Sequence, residues 1–300
     1  MNALEALKIT GKSLEDAGID NAGKEAELII SHCLGADRLV LYRDNPAITE
    51  DVNIRIKEYS ERRIKREPLQ YILGYVEFCG LRIKVGKGVL IPRPETEMLA
   101  GEAIKVLRGQ AAEGRRYVDS SGSPFNILDL CTGTGCVALA LAGDFNDASV
   151  YGIDISELAL KYAKQNAELN GINNVAFLQG DLFDPVEKYL RSQTSRLEFA
   201  LIVSNPPYIK SGDIKNLQPE IRDWEPVEAL TGGEDGLDYY RRIISGSKNY
   251  LTNSGHLVLE LGFEQSIAVR KIAEDAGYRT IVFIKDYAGI ERIMISGEEQ

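Results

Sequence analysis

Through the first 74 residues, apolar positions recur at three- and four-residue intervals. "LEALKITGKSLEDAG" and "AGKEAELIISHCLG" each pattern as an amphipathic helix that stops at a glycine. "TEDVNIRIKEYSERRIKRE" predicts a third helix, capped by Thr49 and ended before Pro68. Near residue 75 the period drops to two. "YVEFCGLRIKVGKGVLI" alternates apolar and polar residues about Cys79-Gly80, as a β-hairpin does. "PRPETEMLAGEAIKVLRG" predicts a helix entered at Pro94, with Glu95 and Glu97 in the first turn where they complement the helix dipole. Residues 109–124 are polar and rich in Gly and Ser, and predict a loop. From residue 125 strand and helix patterns alternate. "FNILDL", "SVYGID", "VAFLQG" and "FALIVSN" are short apolar runs suited to buried parallel strands. "ELALKYAKQNAELNG" is a helix, and "GHLVLELG", "RTIVFIKD" and "RIMISG" supply further strands. The expected organisation is a helical domain over 1–74, a hairpin linker over 75–93 and a doubly wound α/β domain over 94–300.

Composition narrows the class without changing that layout. The 300 residues, 44% hydrophobic and 27% charged, fit an ordinary globular protein of about two domains. No apolar run reaches the roughly 20 residues of a membrane span, and "MNALEALKIT" lacks the features of a signal sequence. A cytoplasmic, monomeric protein with no membrane partner is expected. Lys and Arg total 35 against 45 Asp and Glu, a net charge of −10. That balance argues against broad binding to a phosphate backbone, so no stable nucleic-acid partner is expected. The basic stretch 55–67, "RIKEYSERRIKRE", reads as a solvated helix face, with contact to an acidic or RNA-bearing partner as the alternative. Cys33, Cys79, Cys131 and Cys136 form no CxxC pair, and with only His32 and His256 no zinc ligand set is visible. The thiols are expected to be reduced and mostly buried. His256 lies in a strand pattern and is expected to be structural.

The candidate chemistry sits at the ends of four strands, where open α/β sheets bind ligands. The first strand runs into "LDLCTGTGCVA". There Gly133 and Gly135 permit close backbone approach, and the following helix offers free amides. Together with Ala138 this also fits the G-x-G-x-x-A of a dinucleotide fold, so alone it decides little. The second strand ends at Asp154, 19 residues after Gly135 and placed to bind a ribose diol; the plainer reading is a cap shared with Ser156. The third ends in "QGDLF", where Asp181 is placed to accept from an adenine amino group or merely begins a turn before Asp184-Pro185. The fourth ends in Asn205-Pro206-Pro207-Tyr208. Two prolines fix the backbone there, either as a rigid turn or as a clamp presenting Asn205 and Tyr208.

Acidic strand ends followed by N-P-P-Y resemble a class I, N-methylating S-adenosylmethionine-dependent methyltransferase. The ordered stretches "PLQYILGYVEF", "LIPRPETE", "LDLCTGTG", "VSNPPYI", "EPVEALTGGEDGLDYYRRI" and "KDYAGIERIM" narrow this to a resemblance to the PrmC/HemK family of release-factor glutamine N5-methyltransferases, from about residue 60 to about residue 295. The resemblance implies a Rossmann-like seven-stranded sheet, S-adenosylmethionine as cofactor with S-adenosylhomocysteine as product, and class I peptide-chain release factors as substrate. It implies cofactor contacts from Cys131, Thr132, Gly133, Thr134, Gly135, Asp154, Ile155, Asp181, Leu182 and Asn205. Arg93, Pro94 and Asn205–Tyr208 are implied on the substrate side, and Asn205, Pro206, Pro207 and Tyr208 as catalytic residues. In that reading the Asn205 side-chain oxygen and the Pro206 carbonyl accept the two N–H bonds of a glutamine amide, and Tyr208 stacks on its plane. Cys131 stands where the family has Gly. Two other classes remain open on residues alone: an adenine-N6 or ribosomal-RNA methyltransferase, because N-P-P-Y suits any planar NH2, and a non-catalytic cofactor-binding scaffold.

Overall fold

The computed structural model describes residues 1–112, 125–190 and 197–297. The chain divides into two compact units, Met1–Tyr75 with Gln218–Trp224, and Val76–Leu217 with Glu225–Gln300.

The first unit is helical: α1 (Ala3–Asp16), α2 (Ala22–Leu34), α3 (Arg38–Asp44), α4 (Glu50–Ile64) and α5 (Leu69–Leu73). Asn2 starts α1 with a capping box. Its side chain accepts from the Glu5 N–H at 2.9 Å, and Glu5 accepts from the Asn2 N–H at 3.0 Å. Thr49 caps α4 as expected, accepting from the Val52 N–H at 3.4 Å. The apolar stripes meet in a core of Leu14, Ile29, Ile30, Leu41 and Ile56.

The basic stretch keeps Arg55, Lys57 and Lys65 exposed, but it departs in part from the expected solvated face because its arginines are engaged. Arg63 is buried, donating through Nε to Glu25 at 2.6 Å and through Nη1 to Glu220 at 3.0 Å. Arg66 shares Glu220 at 3.2 Å and also donates to the Ala17 carbonyl at 3.1 Å. Arg62 pairs with Glu67, and Arg55 donates to the Cys33 carbonyl at 2.7 Å. A guanidinium has five donors in a rigid plane and can tie several acceptors at once. These four arginines therefore cross-link the unit internally. Glu220 belongs to the short helix that returns to the unit over Pro219–Arg222.

In the second unit, strands β1 (Tyr75–Phe78) and β2 (Leu81–Lys84) form the predicted hairpin. Both turn residues are left-handed, Cys79 at φ 48° and Gly80 at φ 77°, as a type I′ turn requires. Asn tolerates that conformation better than Cys. Cys79→Asn is therefore expected to stabilise the unit by about 0.5 kcal/mol, a rise of about 1–2 °C in its thermal midpoint by calorimetry.

Helix α6 (Pro94–Ala112) then begins at Pro94 as predicted. It continues through residues 109–112, which were expected in a loop; the alanines that end it favour helix. The rest of that expected loop, 113–124, lies outside the described residues. Next come β3 (Asn126–Leu130), α7 (Cys136–Asp144), β4 (Ser149–Asp154), α8 (Glu157–Asn170), β5 (Val175–Gln179) and β6 (Phe199–Ser204). After these come α9, the helix Pro219–Arg222 already met, then α10 (Asp238–Ser247), β7 (Leu251–Glu260), α11 (Ser266–Asp275), β8 (Thr280–Lys285) and β9 (Glu291–Gly297).

The seven strands β3–β9 form one sheet in the order β5-β4-β3-β6-β7-β9-β8. Strands β3 to β7 pair in parallel, while β9 inserts antiparallel between β7 and β8. All six residues of β6 are buried, which explains its unbroken apolar run. Alternate residues Leu128, Leu130, Ile202, Leu257 and Leu259 join Tyr240, Ile243, Ile244 and Val269 in one core cluster. The strand order reverses about β3, so the crevice at the carboxyl ends of β3, β4 and β6 is where such a sheet binds ligands.

Candidate active site

A cavity of about 460 Å³ opens at those strand ends. Its wall includes Cys131 and Gly133 after β3, Asp154 and Ile155 after β4, Asp181 and Leu182 after β5, and Asn205 and Pro207 after β6. The four strand ends singled out in the sequence therefore converge on one space. Gly88–Leu90, Pro226, Glu228, Ala229 and Tyr239 add lining beyond the four strand ends.

The glycine-rich turn is held by specific contacts. Gly133 has φ 57° and a Cβ there would meet nothing within 4 Å, so its backbone faces open space. Its N–H donates to Asp154 Oδ2 at 2.8 Å, while Asp154 Oδ1 accepts from the Ser156 N–H at 2.9 Å. Each carboxylate oxygen keeps acceptor capacity beyond that one bond. Burial raises the Asp154 pKa, and these backbone bonds oppose it. Gly135 plays a packing part: a Cβ there would sit 3.0 Å from both Ala163 and the Phe177 ring. The Thr132 hydroxyl donates to Asp129 Oδ2 at 2.6 Å, and Asn166 holds the Thr134 carbonyl at 3.0 Å. Asp129 is itself buried, and desolvation pushes its pKa up to about 7.

Two non-glycine residues of the wall take left-handed backbone, Cys131 at φ 57° and Leu182 at φ 48°. That conformation costs an ordinary residue about 1–2 kcal/mol. Burial raises the Cys131 thiol pKa, and the nearby Asp154 carboxylate adds to it. Asp181 is half-exposed and pairs with Arg242 at 2.7 Å, and Arg242 also lies over the Tyr239 ring at 6.0 Å.

Asn205 donates through Nδ2 to Thr96 Oγ1 at 3.0 Å. The Thr96 hydroxyl donates to Glu260 Oε2 at 2.8 Å, and the Tyr208 hydroxyl to Glu260 Oε1 at 3.4 Å. Gln265 Nε2 braces the Tyr208 carbonyl at 2.9 Å. Burial pushes the Glu260 pKa up to about 7, against the Thr96 and Tyr208 hydrogen bonds.

Of the remaining sequence candidates, Gly135, Pro206, Tyr208, Arg93 and Pro94 are not part of the cavity wall, while Thr132 and Thr134 line a smaller recess beside it with Asn205. Tyr208 packs against the core cluster. Arg93 is anchored on the buried Glu225 at 2.5 Å, whose second oxygen accepts from the Ile91 N–H at 3.4 Å. Pro94 opens α6. Glu260 ends β7 and continues the series of polar strand ends by one strand, a signal the four-strand reading left unused. Thr96 lies inside the "PRPETE" stretch that marked the start of α6.

Among solved structures, the human Mettl16 catalytic domain in complex with MAT2A 3′UTR hairpin 6 matches in fold with a TM-score of 0.53 at 16% identity. The match covers 80% of this chain and 82% of that one. A family model described as a methyltransferase domain matches residues 122–258. Sheet order, glycine-rich turn and strand-end cavity thus define a class I methyltransferase. A second family model, the PrmC N-terminal domain, matches residues 5–74. The release factor glutamine methyltransferase of Thermodesulfovibrio yellowstonii is 47% identical over 272 residues, 91% of each chain. That of Geobacter sulfurreducens is 40% identical over 292 residues, 97% of this chain and 94% of that protein. The chain belongs to the release factor glutamine methyltransferase family.

Proposed function

We propose that the cavity holds S-adenosylmethionine and that the protein methylates the side-chain N5 of the glutamine in the Gly-Gly-Gln loop of class I peptide-chain release factors. The observation that carries this reading is the placement of Asn205. Its donor end is tied to Thr96, and it lies on the wall of a cavity that Asp154 also lines.

The residues present suit the cofactor. Asp154 offers acceptor capacity to a ribose diol, Ile153, Ile155 and Leu182 offer apolar surface to a purine, and the side-chain-free Gly133 admits close approach. When bound, S-adenosylmethionine supplies a methyl group made electrophilic by a sulfonium. An amide nitrogen is a poor nucleophile because its lone pair is delocalised into the carbonyl. The Asn205 side-chain oxygen and the Pro206 carbonyl would accept its two N–H bonds, fixing its direction and favouring the state in which the nitrogen gains positive charge. The proton is lost once that charge has developed, so a strong base is not needed. Tyr208 supports this clamp from behind through Glu260 and the core. The helical first unit is assigned the recognition of the release-factor body, consistent with its lack of strand-end chemistry.

The test is mass spectrometry of a release factor after incubation with isotopically labelled S-adenosylmethionine. A gain of one methyl on the loop glutamine is expected, and none on a Gln→Ala loop variant. Methyl incorporation elsewhere, or into RNA alone, would overturn the assignment.

The strained Cys131 gives a further prediction. Cys131→Gly relieves the left-handed backbone in the folded state but loosens the unfolded chain, so stability should change by less than about 1 kcal/mol. Affinity for S-adenosylhomocysteine by calorimetry should equal or exceed the parent's. A loss of about tenfold, 1.4 kcal/mol, would show that the thiol side chain is required.

A further inference from the structure

The hydrogen bonds behind Asn205 have a direction, and that direction bears on which substrate the site accepts. Glu260 is 1% exposed at the end of β7 and receives two hydroxyls, those of Thr96 and Tyr208. Above about pH 7, where Glu260 is mostly ionised despite its burial, its carboxylate only accepts, and a threonine hydroxyl has one proton to give. With that proton committed to Glu260, Thr96 Oγ1 presents only lone pairs to Asn205. The carboxamide must therefore turn its NH2 toward Thr96, as the 3.0 Å Nδ2–Oγ1 contact records. Its oxygen is then the end left for a ligand.

We propose that Glu260, acting through the Thr96 hydroxyl, is a positioning residue that makes the site select a glutamine amide over a glutamate carboxylate. The inference rests on the substrate assignment above. With the Asn205 oxygen facing the substrate beside the Pro206 carbonyl, two acceptors meet the two N–H bonds of an amide. A carboxylate of the same shape has nothing to donate and would face two acceptors, an unpaired and repulsive arrangement. Glutamate differs from glutamine by one NH2, so shape alone cannot separate them, whereas hydrogen-bond polarity can.

Replacement of Glu260 should undo this polarity. In Glu260→Gln the new amide NH2 can donate to Thr96, whose proton is then free to point at Asn205. The Asn205 carboxamide can then reverse, presenting a donor that suits a carboxylate. Thr96→Val removes the link altogether, and Thr96→Ser keeps the hydroxyl.

The experiment uses the full chain with a class I release factor as substrate and its loop Gln→Glu variant as competitive inhibitor. For each enzyme kcat, KM and the inhibition constant of the Glu factor are measured, with S-adenosylhomocysteine affinity by calorimetry as a check on the cofactor side. In Glu260→Gln and Thr96→Val, kcat should fall by roughly tenfold or more with cofactor affinity retained. The preference for the Gln over the Glu factor should narrow by about fivefold or more, since the site would no longer be left with unpaired acceptors. Thr96→Ser should restore both toward the parent. A Gln/Glu preference unchanged in Thr96→Val, or no better in Thr96→Ser than in Thr96→Val, would reduce the relay to packing and overturn the inference. Should Glu260→Gln lose cofactor binding through misfolding, the two Thr96 variants decide alone by the same ratio. A parent enzyme that methylates the factor while all variants keep the ratio sinks only this inference. A parent that leaves the loop glutamine unmodified sinks the substrate assignment and this inference together.

Discussion

Asn205→Ala is expected to lower kcat by about 10²–10³-fold, the scale of losing one preorganised polar partner in a transition state. Affinity for S-adenosylhomocysteine should change little, because the contacts that shape the cofactor side, Asp154 to Gly133 and to Ser156, do not involve Asn205. The loss should appear in single-turnover rates at saturating release factor, where binding differences no longer enter. Asn205→Asp is the more informative companion. It keeps an acceptor oxygen for the substrate but sets its other oxygen against Thr96 Oγ1, whose proton is directed at Glu260. Thr96 must then satisfy one carboxylate at the expense of the other. The Asp variant should turn over faster than the Ala variant and more slowly than the parent. If it is no faster than Ala, the NH2 of Asn205 and not its oxygen carries the effect, and the acceptor role proposed for it is wrong.

Asp154→Ala is expected to weaken S-adenosylhomocysteine binding by about 1–3 kcal/mol, the size of a lost charge-assisted hydrogen bond. The geometry adds a complication. Asp154 also anchors the Gly133 and Ser156 N–H groups, so its removal frees the glycine-rich turn and the start of α8 as well as the proposed diol contact. A thermodynamic cycle separates these effects. The parent should lose affinity when the ligand lacks a ribose hydroxyl, and the Ala variant should lose little more on the same change of ligand. If the two losses simply add, Asp154 holds the turn but not the ribose.

Much of this site was legible in the sequence because parallel strands buried on both faces read as apolar runs, and whatever polar residue ends such a run stands at the crevice. Asp154 and Asn205 follow that rule; Asp181 follows β5, which was expected to be buried but lies at the sheet edge with no residue fully buried, and all three reach the cavity. Glu260 obeys the same rule but lies in a strand whose outer neighbour in the sheet, β9, is antiparallel, beyond the four strand ends that lead to N-P-P-Y. The left-handed backbone at Cys131 and Leu182 carries no mark in sequence, since neither residue favours it. The internal pairing of Arg63 and Arg66 is not legible for another reason. A helical charge pattern does not show that Glu25 and Glu220, distant in the chain, supply the counter-charges. Arg93, expected on the substrate side, holds Glu225 through Nη2.

Strand β3 lies directly between β4 and β6, and those two strands end at Asp154 and just before Asn205. Neighbouring strands in a ladder stand about 4.8 Å apart, so the rows carrying these two residues are separated by about 10 Å whatever side chains they bear. The backbone thus acts as a fixed ruler between the proposed donor seat and the proposed acceptor seat. Side-chain changes at either end can alter what is gripped, but they cannot lengthen or shorten the reach. Engineering a new methyl acceptor on this scaffold is therefore a matter of exchanging the loop after β6, and an acceptor that needs a different reach calls for a different sheet.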